Sequence, residues 1–197
     1  MAASVGGLKA LSVILGGLPK DFPAAIAIVM HLSPDYKSVL AEILSKRTDL
    51  VVKQAQTGDV LCQACAFIAP PNHHLSVAAN RRLKLSTSDA VKIHYARPSA
   101  EPLFASVAAI FKKNAIAVVL TGGDGDGSFG VQIIKDEGGL VIAQNERTSE
   151  DFSMPRTSIA TGDVDFILPL DEIAPKLIEL VTRLSPIGNN AAMLAPE

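Results

Sequence analysis

The chain has 197 residues, the size of a single α/β domain, and 48% of them are hydrophobic, which is enough for a large buried core. Its formal net charge of −2 excludes a general electrostatic attraction to nucleic acid or to an anionic membrane surface. No apolar run approaches the roughly 20 residues of a membrane-spanning helix, and no basic segment of a secretory signal peptide opens the chain. We therefore expect a cytoplasmic protein that neither binds nucleic acid nor inserts into a membrane.

Apolar strands alternate with amphipathic helices along the first part of the chain. Leucines at helical spacing predict a helix over residues 8–18, and a wholly apolar run predicts a buried strand over 24–30 that ends at His31. A second helix is expected from Pro34 onward, followed by a short strand over 50–53. This alternation is typical of a parallel sheet covered by helices.

The middle of the chain departs from this alternation. Short strands are predicted over residues 66–69, 75–78 and 83–86, and the last two form an antiparallel hairpin. Cys62 and Cys65 precede them as a C-x-x-C pair. A zinc site is disfavoured because it normally needs four ligands, and the neighbouring histidine pair is only weak support for the other two. A redox motif is disfavoured because it would open a helix, whereas a strand is predicted after this pair. We expect ordinary reduced thiols, as is usual in the cytosol.

The second half of the chain returns to alternating helices and strands. Strands are predicted over residues 115–120, 140–143 and 164–168, and the last helix over 171–184. The fold expected is α/β, a three-layer doubly wound and mainly parallel sheet with helices on both faces and a small antiparallel hairpin. We expect one domain over residues 1–184, followed by a flexible tail over 185–197.

A glycine-rich loop over residues 120–130 follows a strand and precedes a helix, which is where open α/β sheets keep their chemistry. The loop carries Asp124 and Asp126. A dinucleotide fingerprint is disfavoured because Ser128 replaces its last glycine and two acids would repel a pyrophosphate. A calcium loop is disfavoured because Lys135 stands where glutamate is needed. Two interpretations stay open: an acid that orients a catalytic histidine, and an aspartate that only caps the next helix.

Three polar residues meet at the carboxyl edge of the predicted sheet, namely Ser4, His31 and Asp126. A histidine can take the proton of a serine, and a carboxylate orients the imidazole and stabilises its protonated form. Free N–H groups at the first helix and in the glycine-rich loop can form an oxyanion hole. Alone, Ser4 is equally explained as a helix cap and His31 as a buried structural histidine. Together, the three residues predict a serine hydrolase.

Four segments resemble a known family: Ala-Ser-Val-Gly-Gly at residues 3–7, His-Leu-Ser-Pro at 31–34, Leu-Thr-Gly with Asp-Gly at 120–127, and Met-Pro-Arg at 154–156. In this order, along nearly the whole chain, they resemble the CheB family of protein-glutamate methylesterases. Arg-Pro-Ser at residues 97–99 matches a less distinctive motif of that family. The sequence around His31 is most similar to that of the CheB-like domains that are fused to a CheR-type methyltransferase.

The resemblance implies hydrolysis of glutamate methyl esters on the cytoplasmic helices of chemoreceptors, with deamidation of glutamine as a second activity and no cofactor or metal. By motif, Ser4 is the nucleophile, His31 the general base and Asp126 the acid that orients it. The oxyanion donors are the backbone N–H groups of Val5 and Gly123. The implied partners are methylated receptor helices, with a methyltransferase or a receiver domain as further candidates.

The chain departs from the family pattern in two places, the glycine-rich loop and the segment before Ser4. Gly123 and Asp124 stand where the family has methionine and glycine, and Asp124 is expected to place a negative charge near the oxyanion. The family has an apolar strand before the serine, whereas only residues 1–3 precede Ser4 here, so we expect that strand to be missing. These departures keep open a non-catalytic docking module that lost its first strand. A small-molecule hydrolase with the same triad is a third interpretation.

Overall fold

A computed structural model describes residues 1–31, 38–86, 91–93 and 96–184. Its strands, in chain order, are β1 (Ala2–Ala3), β2 (Ile26–Met30), β3 (Val51–Gln54), β4 (Cys65–Ile68), β5 (Leu75–Val77), β6 (Leu83–Leu85), β7 (Ile116–Val119), β8 (Leu140–Gln144) and β9 (Phe166–Leu168). Its helices are α1 (Gly7–Gly16), α2 (Leu40–Ser45), α3 (Ala100–Phe111), α4 (Ser128–Asp136), α5 (Ser153–Ala160) and α6 (Leu170–Leu184).

Within the described residues, seven strands form one parallel sheet in the order β3-β4-β2-β1-β7-β8-β9. The chain winds outward from β1 in one direction through β2 and in the other direction through β7, which confirms the doubly wound prediction. The predicted hairpin is also confirmed, with β5 antiparallel to β6 and Leu75 opposite Leu85. The change of winding direction beside β1 opens a crevice at the carboxyl ends of the central strands.

The two faces of the sheet bury separate hydrophobic clusters, because successive strand residues point to opposite sides. Ile28 and Val118 face the first cluster, which packs against α1, α2 and α6. Val29 and Val119 face the second, which packs against α3, α4 and the hairpin. The molecule is therefore the expected three-layer sandwich, with its parallel strands covered on both faces.

The first strand is present, although it has only two residues, both wholly buried. Ala2 pairs with Val29 on one side and with Val119 on the other, and Ala3 pairs with Met30. The expectation of a missing strand is corrected here, because this short ladder joins β2 to β7. No open gap is left between these two neighbours in the sheet.

The cysteine pair also differs from expectation. Cys62 and Cys65 are joined by a disulfide, so the prediction of reduced thiols is wrong. The turn before β4 brings their Cα atoms to 5.6 Å, a separation typical of disulfides. Spacing alone did not reveal this, since the same pattern in a reduced compartment leaves two thiols.

Two predictions lie outside the described residues: the start of a helix at Pro34, and the tail over residues 185–197. In the part of the chain that is described, α2 begins at Leu40. No helix in that part combines the length and the apolar character needed to cross a membrane.

Candidate active site

Neighbouring strands place the predicted site residues. Ser4 follows β1, His31 follows β2, and Asp126 lies in the loop after β7, and these strands are adjacent in the sheet. The Ser4 N–H donates to the Thr121 carbonyl at 2.9 Å, and the His31 N–H donates to the Ala3 carbonyl at 3.1 Å. The backbone ladder therefore brings the serine, histidine and aspartate segments to one rim of the sheet.

A direct hydrogen bond joins the histidine to the carboxylate. His31 Nε2 lies 2.9 Å from Asp126 Oδ2. Asp126 is wholly buried and also accepts from the Ser99 hydroxyl at 2.5 Å and from the Ala100 N–H at 2.6 Å. Three hydrogen-bond contacts around one carboxylate fix its position.

Ser99 extends this hydrogen-bond chain to a second histidine. The Ser99 N–H donates to His74 Nδ1 at 3.2 Å, which leaves His74 Nε2 to donate to the Val91 carbonyl at 2.8 Å. Both Ser99 and His74 are buried. The sequence indicated Ser99 only as part of a family motif, although a serine before a predicted helix is typical of an N-cap. Here the cap residue also holds the carboxylate that contacts His31.

Glu101 of α3 caps the helix that follows the glycine-rich loop. Its buried carboxylate accepts from the N–H groups of Gly127 at 3.0 Å and Phe129 at 3.2 Å, and also from that of Gly130. Burial raises the pKa of Glu101, and the nearby charge of Asp126 adds to the rise, while these backbone hydrogen bonds oppose it. The interpretation of Asp126 as a cap of the following helix is therefore incorrect, since a different carboxylate caps α4.

Asp124 contacts the other nitrogen of the same imidazole. Asp124 Oδ2 lies 3.2 Å from His31 Nδ1, and Asp124 Oδ1 accepts from the Asp126 N–H at 3.1 Å. Burial acts to lower the pKa of His31, but the hydrogen bonds and charges of Asp124 and Asp126 outweigh it and raise that pKa from 6.5 to about 9. Asp124 was expected to lie near the oxyanion; the structure places it against the histidine ring.

Ser4 lies beside the histidine segment without being bonded to it. Among the described residues its hydroxyl has no hydrogen-bond partner, so the structure does not join it to His31. A Cβ built on Gly122 would lie 2.9 Å from Ser4 Cβ and 2.0 Å from Met154 Sδ. Glycine at position 122 is therefore required for the close approach of the glycine-rich loop to the serine.

Two exposed backbone N–H groups flank Ser4. Those of Val5 and Gly123 have no acceptor within the described part of the chain. The residues are neighbours, since a Cβ built on Gly123 would lie 3.9 Å from Val5 Cγ2. The buried Thr121 hydroxyl donates to the Val5 carbonyl and accepts from the Asp151 N–H, both at 2.9 Å. Thr121 thereby ties the loop that presents the Val5 N–H to the glycine-rich loop that presents the Gly123 N–H.

A polar cavity of about 240 Å³ opens next to this rim. Gly6 and Thr121 form its inner wall, and Lys9 and Arg147 supply two cations. Neither cation forms an ion pair with a described residue. Glu150 also lines the cavity, so two cations and one carboxylate face it. In the described residues, no cluster of three or more histidine, cysteine, aspartate or glutamate side chains could hold a metal ion.

Comparisons with known proteins identify relatives of this chain. The sequence model of the CheB methylesterase family matches residues 1–177. The protein-glutamate methylesterase/protein-glutamine glutaminase 2 of Anaeromyxobacter dehalogenans is 42% identical over 184 residues, which are 93% of this chain and 52% of that protein. A protein-glutamate methylesterase/protein-glutamine glutaminase of Pyrococcus horikoshii is 36% identical over 190 residues, which are 96% of this chain and 52% of that protein. The chain thus spans about half the length of these curated relatives.

A solved structure extends the likeness to three dimensions. The catalytic domain of the CheB methylesterase of Thermotoga maritima superposes with a TM-score of 0.86 at 38% sequence identity, covering 91% of this chain and 96% of that domain. The fold and the family match both indicate one origin. The chain belongs to the CheB methylesterase family.

Proposed function

We propose that this chain is a serine hydrolase that removes methyl groups from glutamate γ-methyl esters on the cytoplasmic helices of chemoreceptors. The observation that carries the proposal is the 2.9 Å bond between His31 Nε2 and the buried Asp126, formed at the rim where Ser4 lies between β1 and α1. The names of its relatives describe a methylesterase and glutaminase activity. A cytoplasmic location follows from this choice of substrate.

The mechanism assigns one task to each group. Ser4 Oγ attacks the ester carbonyl carbon while its proton passes to His31 Nδ1, the nitrogen that Asp126 does not hold. The N–H groups of Val5 and Gly123 donate to the oxyanion. The imidazolium returns the proton to the departing methoxide, and methanol leaves. Water then attacks the acyl-serine with His31 again as base, which releases the glutamate carboxylate and restores Ser4.

Glutamine deamidation follows the same path. The amide carbonyl replaces the ester carbonyl, and the leaving group takes its proton from His31 to depart as ammonia. The acyl-serine formed is identical in both reactions. One site therefore supports both activities that the relatives' names describe.

The cations at the cavity support a glutamate-rich protein substrate over a small neutral ester. Each turnover leaves a new carboxylate on the receptor helix, so a substrate with several sites is increasingly anionic. Lys9 and Arg147 line that cavity and are placed to attract those carboxylates. A methyltransferase or a receiver domain as a partner stays a prediction.

An active-site serine reagent tests the proposal. A fluorophosphonate probe is expected to label the protein and to fail with Ser4→Ala, while Ser12→Ala, a serine in the interior of α1, keeps full labelling. Release of methanol from a methylated receptor fragment, compared with release from a small methyl ester, then identifies the substrate class. A wild-type protein that is not labelled at any pH between 6 and 10 would overturn the hydrolase and favour the docking module.

A further inference from the structure

Each nitrogen of the His31 imidazole contacts a different carboxylate. Asp126 Oδ2 lies 2.9 Å from His31 Nε2, and Asp124 Oδ2 lies 3.2 Å from His31 Nδ1. A neutral imidazole has one N–H and one lone pair, whereas an ionised carboxylate only accepts hydrogen bonds. Both contacts are satisfied together only when the ring carries both protons. An imidazolium has no lone pair with which to accept the proton of Ser4.

The two carboxylates differ in how firmly they are held. The Asp126 side chain is 0% exposed and has the Ser99 and Ala100 donors behind it, so releasing it would bury an unpaired charge. The Asp124 side chain is 37% exposed, so water can compete for its contact with the ring, although its Oδ1 also accepts from the Asp126 N–H at 3.1 Å. Asp124 is therefore the more exposed of the two partners, and it occupies the nitrogen that the hydrolytic mechanism needs.

We propose that Asp124 restrains the hydrolase: its carboxylate holds Nδ1 of His31 in the protonated form, and catalysis begins only after Asp124 turns toward solvent and Nδ1 releases its proton to water. The proposal rests on the hydrolase function given above. Asp124 touches no reacting atom in this scheme. It is a positioning residue that acts through His31.

The charged groups around the ring set the direction of the pH effect. Asp124 and Asp126 touch His31; beyond them, Glu101 acts on Asp126, and Asp151, with Arg156 beside it, acts on Asp124. The pKa of His31, raised to about 9, leaves about 1% of the ring neutral at pH 7. Removing the Asp124 charge removes one of the two contacts that raise this pKa, so the neutral fraction increases.

The test measures the histidine directly as well as through turnover. Histidine-labelled protein is titrated by NMR in the wild type, Asp124→Asn and Asp151→Asn, with His31→Gln used to assign the signal. We expect Asp124→Asn to lower the pKa of His31 by about one unit or more, and Asp151→Asn to leave it in place. The acid limb of kcat/KM should move by the same amount, and kcat/KM at pH 7 should rise about tenfold.

Several outcomes would decide against the restraint. An unchanged His31 pKa in Asp124→Asn would overturn it. A lowered pKa with an unmoved acid limb, or with kcat/KM reduced at every pH, would overturn it as well. A lowered pKa in a protein that never hydrolyses an ester would support the Asp124 contact and would overturn the hydrolase function instead.

Discussion

The hydroxyl of Ser99 donates to the carboxylate of Asp126 at 2.5 Å, and this bond ties the first turn of α3 to the loop after β7. Ser99 also accepts from the Glu101 N–H as the N-cap of α3. One side chain therefore begins a helix and fixes the carboxylate that orients His31. This rim of the sheet therefore depends on a residue that is itself wholly buried.

Replacement of Ser99 tests this dependence. Ser99→Ala removes the helix cap and one donor to a buried carboxylate, so we expect a loss of about 1–3 kcal/mol in unfolding free energy. We also expect kcat to fall about tenfold, because Asp126 is less firmly oriented. Urea denaturation and steady-state kinetics check both, with Ser99→Thr expected to restore most of kcat. Ser106→Ala removes a hydroxyl that serves only α3 and β5, so a similar fall in kcat there would contradict the account.

Asp126 itself is expected to be essential. Asp126→Asn keeps the shape but removes the charge that stabilises the imidazolium, so kcat should fall at least about 10³-fold. Single-turnover release of methanol from a methylated receptor fragment measures the chemical step. An Asp126→Asn protein with unchanged turnover would remove Asp126 from the mechanism.

The stability of the protein should depend on pH through His31. Its pKa is raised from 6.5 to about 9 on folding, so the stabilisation is complete below pH 6.5 and is lost as the pH rises through 9, a change of about 3 kcal/mol. Urea midpoints measured between pH 6 and pH 10 should show this decline. Asp124→Asn should flatten it, whereas an equal slope in that variant would show that Asp124 is not the cause.

The two cations at the cavity should govern substrate affinity. Lys9→Glu and Arg147→Glu reverse charges that line the cavity, so KM for a methylated receptor fragment should rise severalfold while kcat stays the same. High salt should reduce the difference from the wild type. Lys20→Glu makes the same change of net charge at an exposed turn away from the cavity, and an equal rise in KM there would contradict a local role.

The repeating elements of the fold could be predicted because strand and helix patterns are local. Runs such as residues 24–30 are apolar at every position, as a strand covered on both faces must be. The arrival of the Ser4, His31 and Asp126 segments at one rim also followed, since parallel strands present their carboxyl ends at one edge of the sheet. The order of strands and helices along the chain therefore predicted which segments meet at the carboxyl edge of the sheet.

Other features depend on distant groups and left little trace in the sequence. The contact of Asp124 with His31 joins two loops whose separation along the chain carries no pattern. The Ser99 and Glu101 side chains bind the glycine-rich loop from a different helix, so their roles appear only after α3 has packed beside α4. The two-residue β1 was missed because a strand that short has no periodicity of its own and exists only through its neighbours.

That brevity has a consequence for the direction in which Ser4 points. Side chains on a strand alternate between faces, so a shift of β1 by one position would turn the Ser4 side chain to the opposite face of the sheet. The alignment of Ala2 with Val29 and Val119, with Ala3 opposite Met30, prevents such a slip. Inserting one residue between Ala3 and Ser4 should therefore abolish labelling of the serine while the rest of the sheet still assembles, because the register of β1 sets the direction of that side chain.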